Sequence, residues 1–257
     1  MNIFLLSIID KSIEGAMIRF SQLPIKSSLL NSNHLEVLGN SVKKIVDTYI
    51  GFFKSVNIAP FQYHYNTSRI EKRFELAVIN KKPLDGIGKK LLSLVTFPID
   101  TAVIPVNLHL HQSSRIYLYT GIGVFESMNN TIVFFLYELS ISDDLIRYTP
   151  TSLRYLDDIL TRDDLSKFKS LRELANSIGK NYNRFQQDCR EYFRDTFHQF
   201  QNKIKMMKVL EDVILSDLSL KEIAYKNNFA DYNSMYAMFR KKYNFPIHSI
   251  PRLMIEI

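Results

Sequence analysis

Apolar residues recur along this chain at two periods, and the change of period divides it. Within residues 34–56, Leu38, Val42, Ile45, Val46, Tyr49, Phe53 and Val56 fall at helical spacing, with Lys43, Lys44, Asp47 and Lys54 elsewhere on the cylinder. This predicts an amphipathic helix, its stripe either packed on its own domain or making a dimer contact. Residues 102–110, 115–126 and 131–140 are rich in Val, Ile, Tyr, Phe and Leu and are bounded by Ser113-Ser114 and Asn129-Asn130. They predict three strands in a meander, the last so continuously apolar that both its faces should be buried. The period then returns to helical. Thr151 caps a helix packed by Leu153, Leu156 and Ile159 or Leu160.

The remaining helices are short and carefully bounded. Ser219 followed by Glu222 is a capping box, in which each residue satisfies a free backbone N–H of the other, so a helix should start at Leu220. Asn227-Asn228 is a turn, Phe229 a buried anchor and Asp231 a second cap. In the next helix Met235, Met238, Phe239 and Lys242 fall at i, i+3, i+4 and i+7, which leaves Asn233, Tyr236, Ala237 and Arg240 on the solvated face. Two such helices joined by a tight turn form a helix-turn-helix. The chain carries the pattern twice: Ser170 with Glu173 repeats the box 49 residues earlier, residues 171–175 repeat 220–224, and Gly179 stands at the turn. There Phe185, Cys189 and Tyr192 point inward, and Asn183, Gln186, Gln187 and Arg190 outward. Between the copies, Phe197, Phe200, Ile204, Met207, Leu210, Val213 and Ile214 make the stripe of a connector helix at 196–215.

Over roughly residues 151–252 this pattern resembles the DNA-binding domain of the AraC/XylS family of bacterial transcription regulators. The segment SDLSLKEIAYKNNFADYNSMYAMFRKKYNFP has the family's order of Asp-Leu-Ser-apolar-x-Glu-Ile-Ala, then Phe, a recognition helix and Phe-basic-basic-x-Tyr. It departs from the family at Asn228, Arg194 and Asn244, where Gly is usual, and at Gln187 and Ala237, where Arg is usual. The resemblance implies a regulator, an activator more than a repressor, with RNA polymerase as a partner and an N-terminal portion that senses an effector or makes a dimer. The run YNRFQQDCREYF is similar to the virulence activators of type III secretion genes, some of which answer to a chaperone.

The chain is therefore read as α+β. A mixed α/β domain with an antiparallel sheet, regulatory or dimerising, spans 1–150. An all-α DNA-binding domain spans 151–257, with helix-turn-helix units at about 170–193 and 219–243 joined by the long helix.

Charge sharpens this picture. Of the net +7, +6 falls from Leu165 onward, with 16 Lys and Arg against 10 Asp and Glu, which draws that end to a polyanion such as double-stranded DNA. Bases should be read by Asn183, Gln186, Gln187 and Arg190 in the first recognition helix and by Asn233, Tyr236 and Arg240 in the second, with Arg184 and Tyr232 beside them. Amides pair with adenine and Arg with guanine, and Tyr packs on thymine methyls, so an A·T-rich site is expected. Lys203, Lys205, Lys241 and the helix starts at Leu171 and Leu220 should hold phosphates.

Other chemistry finds little support. His109 and His111, two apart on a strand, share one face, but no Glu or glycine frame completes a metal site at the expected spacing. The single Cys189 lies on the inward face of a helix, so a DNA-repair alkyltransferase, which needs a reactive Cys outside these units, is a poor fit. No enzyme motif and no cofactor are expected. No run of about 18 apolar residues suits a membrane span, and a cytoplasmic location is expected. The rival reading is an interaction protein whose helix-turn-helix has lost DNA and acts through a protein partner.

Overall fold

The computed structural model describes residues 3–23, 32–58, 69–76, 84–95, 102–126, 129–148, 150–160 and 168–253. Its first half is an antiparallel sheet with helices on both faces. Strands β1 (Arg69–Glu75), β2 (Val103–Gln112), β3 (Arg115–Glu126) and β4 (Thr131–Ser142) lie in the order β1-β4-β3-β2. The last three are the expected meander. Gln112 pairs with Arg115 across Ser113 and Ser114, both at positive φ, as a two-residue hairpin requires. Strand β4 is buried on both faces: Val133, Phe135, Tyr137, Leu139 and Ile141 face the main core, while Ile132, Phe134 and Leu136 meet Leu91 of α3 (Gly86–Ser93).

Helices α1 (Ile3–Ser21) and α2 (Ser32–Ser55) cover the first of these faces. The α2 stripe at 38, 42, 45, 46, 49, 53 and 56 is no more than 3% exposed, which makes it core and not a free dimer surface. Gly39 permits the close approach, since a Cβ there would lie 2.9 Å from the Phe135 ring.

Thr151–Leu153 forms a 3-10 turn, and six helices follow: α4 (Tyr155–Leu160), α5 (Leu171–Ser177), α6 (Tyr182–Phe193), α7 (Phe197–Leu215), α8 (Leu220–Lys226) and α9 (Tyr232–Ala237), the last continued by a π-helical turn at Met238–Lys242. Thr151, expected to cap a helix, instead lies inside the 3-10 turn behind Pro150 and no side chain caps that turn, but the later caps are made. Asp231 accepts from the Ser234 N–H, Thr196 and Gln199 cap each other at the start of α7, and Ser219 and Glu222 form the full box. In the first unit the box is half made. Ser170 accepts from the Glu173 N–H, but the Glu173 carboxylate reaches one residue further, to the Lys169 N–H.

The turns explain the missing glycines. Arg194, Asn228 and Asn244 all sit at positive φ (62°, 55° and 51°), in the left-handed region where glycine is cheapest. Asn tolerates that region and Arg does so poorly. Arg194→Gly is therefore expected to stabilise the fold by roughly 0.5–1 kcal/mol despite the added freedom of the unfolded chain. A urea midpoint that falls instead would contradict this.

The helical half does not stand apart from the sheet. Helices α8 and α9 share the main core with α1, α2 and the second half of α7, whereas α4, α5, α6 and the first half of α7 enclose a separate core that also takes in Leu5 of α1. Helix α1 thus touches both.

Candidate nucleic-acid interface

The outward faces of α6 and α9 are the sites to be weighed. A hydrophobic spine fixes each: Phe185, Cys189, Tyr192 and Phe193 in α6, and Met235 with Phe239 in the second unit, are all buried. Opposite them Asn183, Arg184, Gln187 and Arg190 are exposed, and Gln186 is half-buried. In the second unit Asn233, Arg240 and Lys241 are exposed, while Tyr232 and Tyr236 are half-buried. These tyrosines belong to a small cluster. The Tyr232 hydroxyl lies 3.0 Å from His248 Nε2, and the Tyr236 ring lies 5.5 Å from the His248 ring. One side of α9 is thereby stiffened by the chain that follows it.

Two lysines expected at phosphates are engaged elsewhere. Lys203 has a side chain only 5% exposed and pairs with Asp195 at 2.5 Å, so its charge is spent inside the protein. Lys205 donates to the carbonyl of Asn228 and lies over the Phe229 ring at 3.8 Å, with burial lowering its pKa. It holds the turn of the second unit. The helix starts at Leu171 and Leu220 are likewise occupied, because Ser170 and Ser219 take an N–H from each first turn and the Glu173 and Glu222 carboxylates bring negative charge there.

Several polar residues were invisible in the sequence pattern. Asp188, on α6, is buried, accepts a hydrogen bond from the Tyr155 hydroxyl at 2.7 Å and pairs with Arg184 Nε at 2.8 Å. Tyr192 returns the link by donating to Asp157 at 2.5 Å, so α4 and α6 are tied twice. Asp212, on α7, takes hydrogen bonds from Arg19, Lys226 and Asn227 at 3.0, 2.7 and 2.8 Å. Burial alone would raise its carboxyl, but these donors outweigh burial and hold it below the usual carboxylate value.

The remaining candidates are explained by ordinary contacts. Cys189 is fully buried, and burial, with the Asp188 charge beside it, pushes its thiol up to about 12, against a weaker opposing hydrogen bond from the Phe197 backbone. It is poorly suited to act as a nucleophile. His109 meets Asp10 at 3.0 Å and His111 meets Asp143 at 2.6 Å, each on a different element. Among the described residues no group of three or more His, Cys, Asp or Glu is placed to hold a metal, and no helix is long and apolar enough to cross a membrane.

Comparison with known proteins bears on the helical half. No curated protein and no solved structure matches the chain. Residues 174–249, which run from within α5 past α9 and so include both recognition helices, match a family model described as a helix-turn-helix domain, and this supports a DNA-binding transcription regulator of the AraC type.

Proposed function

We propose that this protein regulates transcription by setting α6 and α9 into successive major grooves of one face of DNA. The observation that carries the reading is the pair of outward faces: Asn183, Gln187 and Arg190 on one helix and Asn233, Arg240 and Lys241 on the other are exposed, on two capped units joined by a single helix of 19 residues. Such a helix is about 28 Å long, near the roughly 34 Å of one duplex turn. A stiff connector of that length would favour bent DNA if the two helices are to enter successive grooves at once.

The amides and the absence of Arg at Gln187 and Ala237 favour an A·T-rich site. Activation, and an effector, chaperone or second copy acting on residues 1–150, rest on the AraC/XylS resemblance, as does RNA polymerase as a partner. The division at 150 is a division of roles: Asp212 and Phe52 bind the two parts together physically.

The test is selection of bound sequences from a random duplex pool by the full chain. We expect an A·T-rich site with two half-sites about one turn apart, and affinity that falls steeply as salt rises. Asn233→Ala should lower binding to the selected site by about 1–3 kcal/mol and leave random DNA unaffected. A second reading, an interaction protein with a degenerate helix-turn-helix, is favoured by Gln187, Ala237 and the tyrosines occupied with His248. An unenriched pool with salt-insensitive binding would select it.

A further inference from the structure

Strand β1 forms one edge of the sheet: it pairs with β4 on one side, and among the described residues no strand lies on the other. Such an edge offers a row of backbone N–H and C=O groups, and charged side chains are the usual means of keeping foreign strands off it. Here the charges follow a particular order. Arg69, Glu71, Arg73 and Glu75 are exposed along one face, and Ile70, Lys72 and Phe74 are half-buried along the other, Ile70 and Phe74 against the core that includes Leu91 of α3.

Outward from Lys72 the sequence complements itself. With a second copy antiparallel beside β1 and Lys72 on the two-fold axis, Arg69 faces the partner's Glu75, Glu71 faces the partner's Arg73 and Ile70 faces the partner's Phe74, each contact repeated by the symmetry. Directly opposed pairs of this kind stabilise antiparallel strands. Each charge also has an opposite neighbour along its own strand, and Arg69 already meets Glu71 at 3.1 Å within one chain. The two copies of Lys72 meet on the axis, but each is paired with its own Asp85 at the N-cap of α3, so its charge is answered before the copies approach. The register is specific. A two-fold axis perpendicular to the sheet keeps every side chain on its face, so the pairing slips only in steps of two. One step sets Arg69 against the partner's Arg73 and Glu71 against the partner's Glu71; the opposite step sets Glu71 against the partner's Glu75 and Arg73 against the partner's Arg73. A larger slip leaves fewer than half of the 7 residues paired.

We infer that β1 is a self-recognition edge, through which two copies of this chain join their sheets in an isologous dimer. A strand of 7 residues makes a small interface, so the dimer is weak and sensitive to salt. The inference does not rest on the DNA-binding reading, and its test reads mass, so the two fail separately.

The experiment is analytical ultracentrifugation of the full chain at about 1 to 100 µM, at low and high salt. Wild type should pass from monomer to dimer over that range, and high salt should reverse the change. Glu75→Arg sets like charges opposite Arg69, and Arg69→Glu sets like charges opposite Glu75; neither residue has a buried acid for a partner, as Arg73 has in Glu126 at 3.4 Å. Each variant alone should weaken self-association by roughly tenfold or more, and an equimolar mixture of the two should restore it, because every facing pair is then opposite again. Lys72→Cys places a thiol on the axis, and with Cys189 buried it should form an interchain disulfide on oxidation; Glu75→Cys, its copies about 20 Å apart, should not. A wild type that stays monomeric throughout, a dimer indifferent to both charge reversals, or folded variants that do not associate on mixing overturns the assignment. If a charge variant fails to fold, the cysteine variants decide: a cross-link with Lys72→Cys and none with Glu75→Cys supports the edge, and equal cross-linking or none overturns it.

Discussion

Phe52→Ala should destabilise the protein by about 3–5 kcal/mol and loosen the second helix-turn-helix unit more than the first. Phe52 is fully buried in α2, with ring centroids 5.4 Å from Phe245 and 6.2 Å from Phe239, and Phe239 is the residue that seats the π-helical turn after α9. Truncating the ring would leave a cavity lined by side chains from both halves of the chain. Urea unfolding measures the total. Native-state hydrogen exchange at Met235 and Phe239, compared with Phe185 and Cys189, measures where it falls. Equal loss of protection in both units, or a cost under about 1.5 kcal/mol, would show that α2 does not brace the second unit.

Asp212→Ala should cost about 3 kcal/mol at neutral pH, because it leaves one N–H of the buried Asn227 amide unpaired, takes the ion pair from Lys226 and leaves Arg19 with Glu211 alone. The effect carries a pH signature. Since the folded carboxyl is held below its ordinary value, the unfolded chain takes up the proton first; ionised Asp212 stabilises the fold above the unfolded value of about 4, and that share is lost as pH falls through the lower folded value. The gap between wild type and Asp212→Asn should accordingly be widest above about pH 5 and close toward acid. A gap that does not change with pH would mean that the charge of Asp212 contributes nothing and that only its shape matters.

The parts of this fold that showed in the sequence are those where one period dominates a whole element. Strands β2, β3 and β4 and helix α2 each bury a regular set, and the caps at Ser170, Ser219 and Asp231 mark helix starts with side chains whose partners lie within three residues. Helix α1 was missed because Leu5, Leu6, Ile9, Ile13, Ala16, Met17 and Phe20 serve two cores on different sides, so no single stripe stands out. Strand β1, RIEKRFE, is an edge strand with little apolar content, and α3 is eight residues long and carries two glycines.

The site divides the same way. Which face of α6 and α9 looks outward followed from the spacing of their buried residues. The burial of Lys203 was also legible, since 200, 203, 207 and 210 lie on one side of α7; its basic side chain drew attention to DNA instead. Asp188 and Asp212 could not be read, because a buried acid is explained only by partners far off in sequence, Tyr155 for one and Arg19 for the other.

Helix α1 lies against α7 and reaches both helical units. Phe4 packs on Tyr192, Phe193 and Phe200, Ser12 meets Met207, and Arg19 meets Glu211 and Asp212. During synthesis α1 can meet α2 and the sheet well before α7 exists, but the side of it that faces α7 must wait while some 190 residues are made, and until then that side stays open to other partners. It also means that a gene fragment beginning at codon 151 would yield a reader stripped of its splint, with aromatic rings of the connector bared to water.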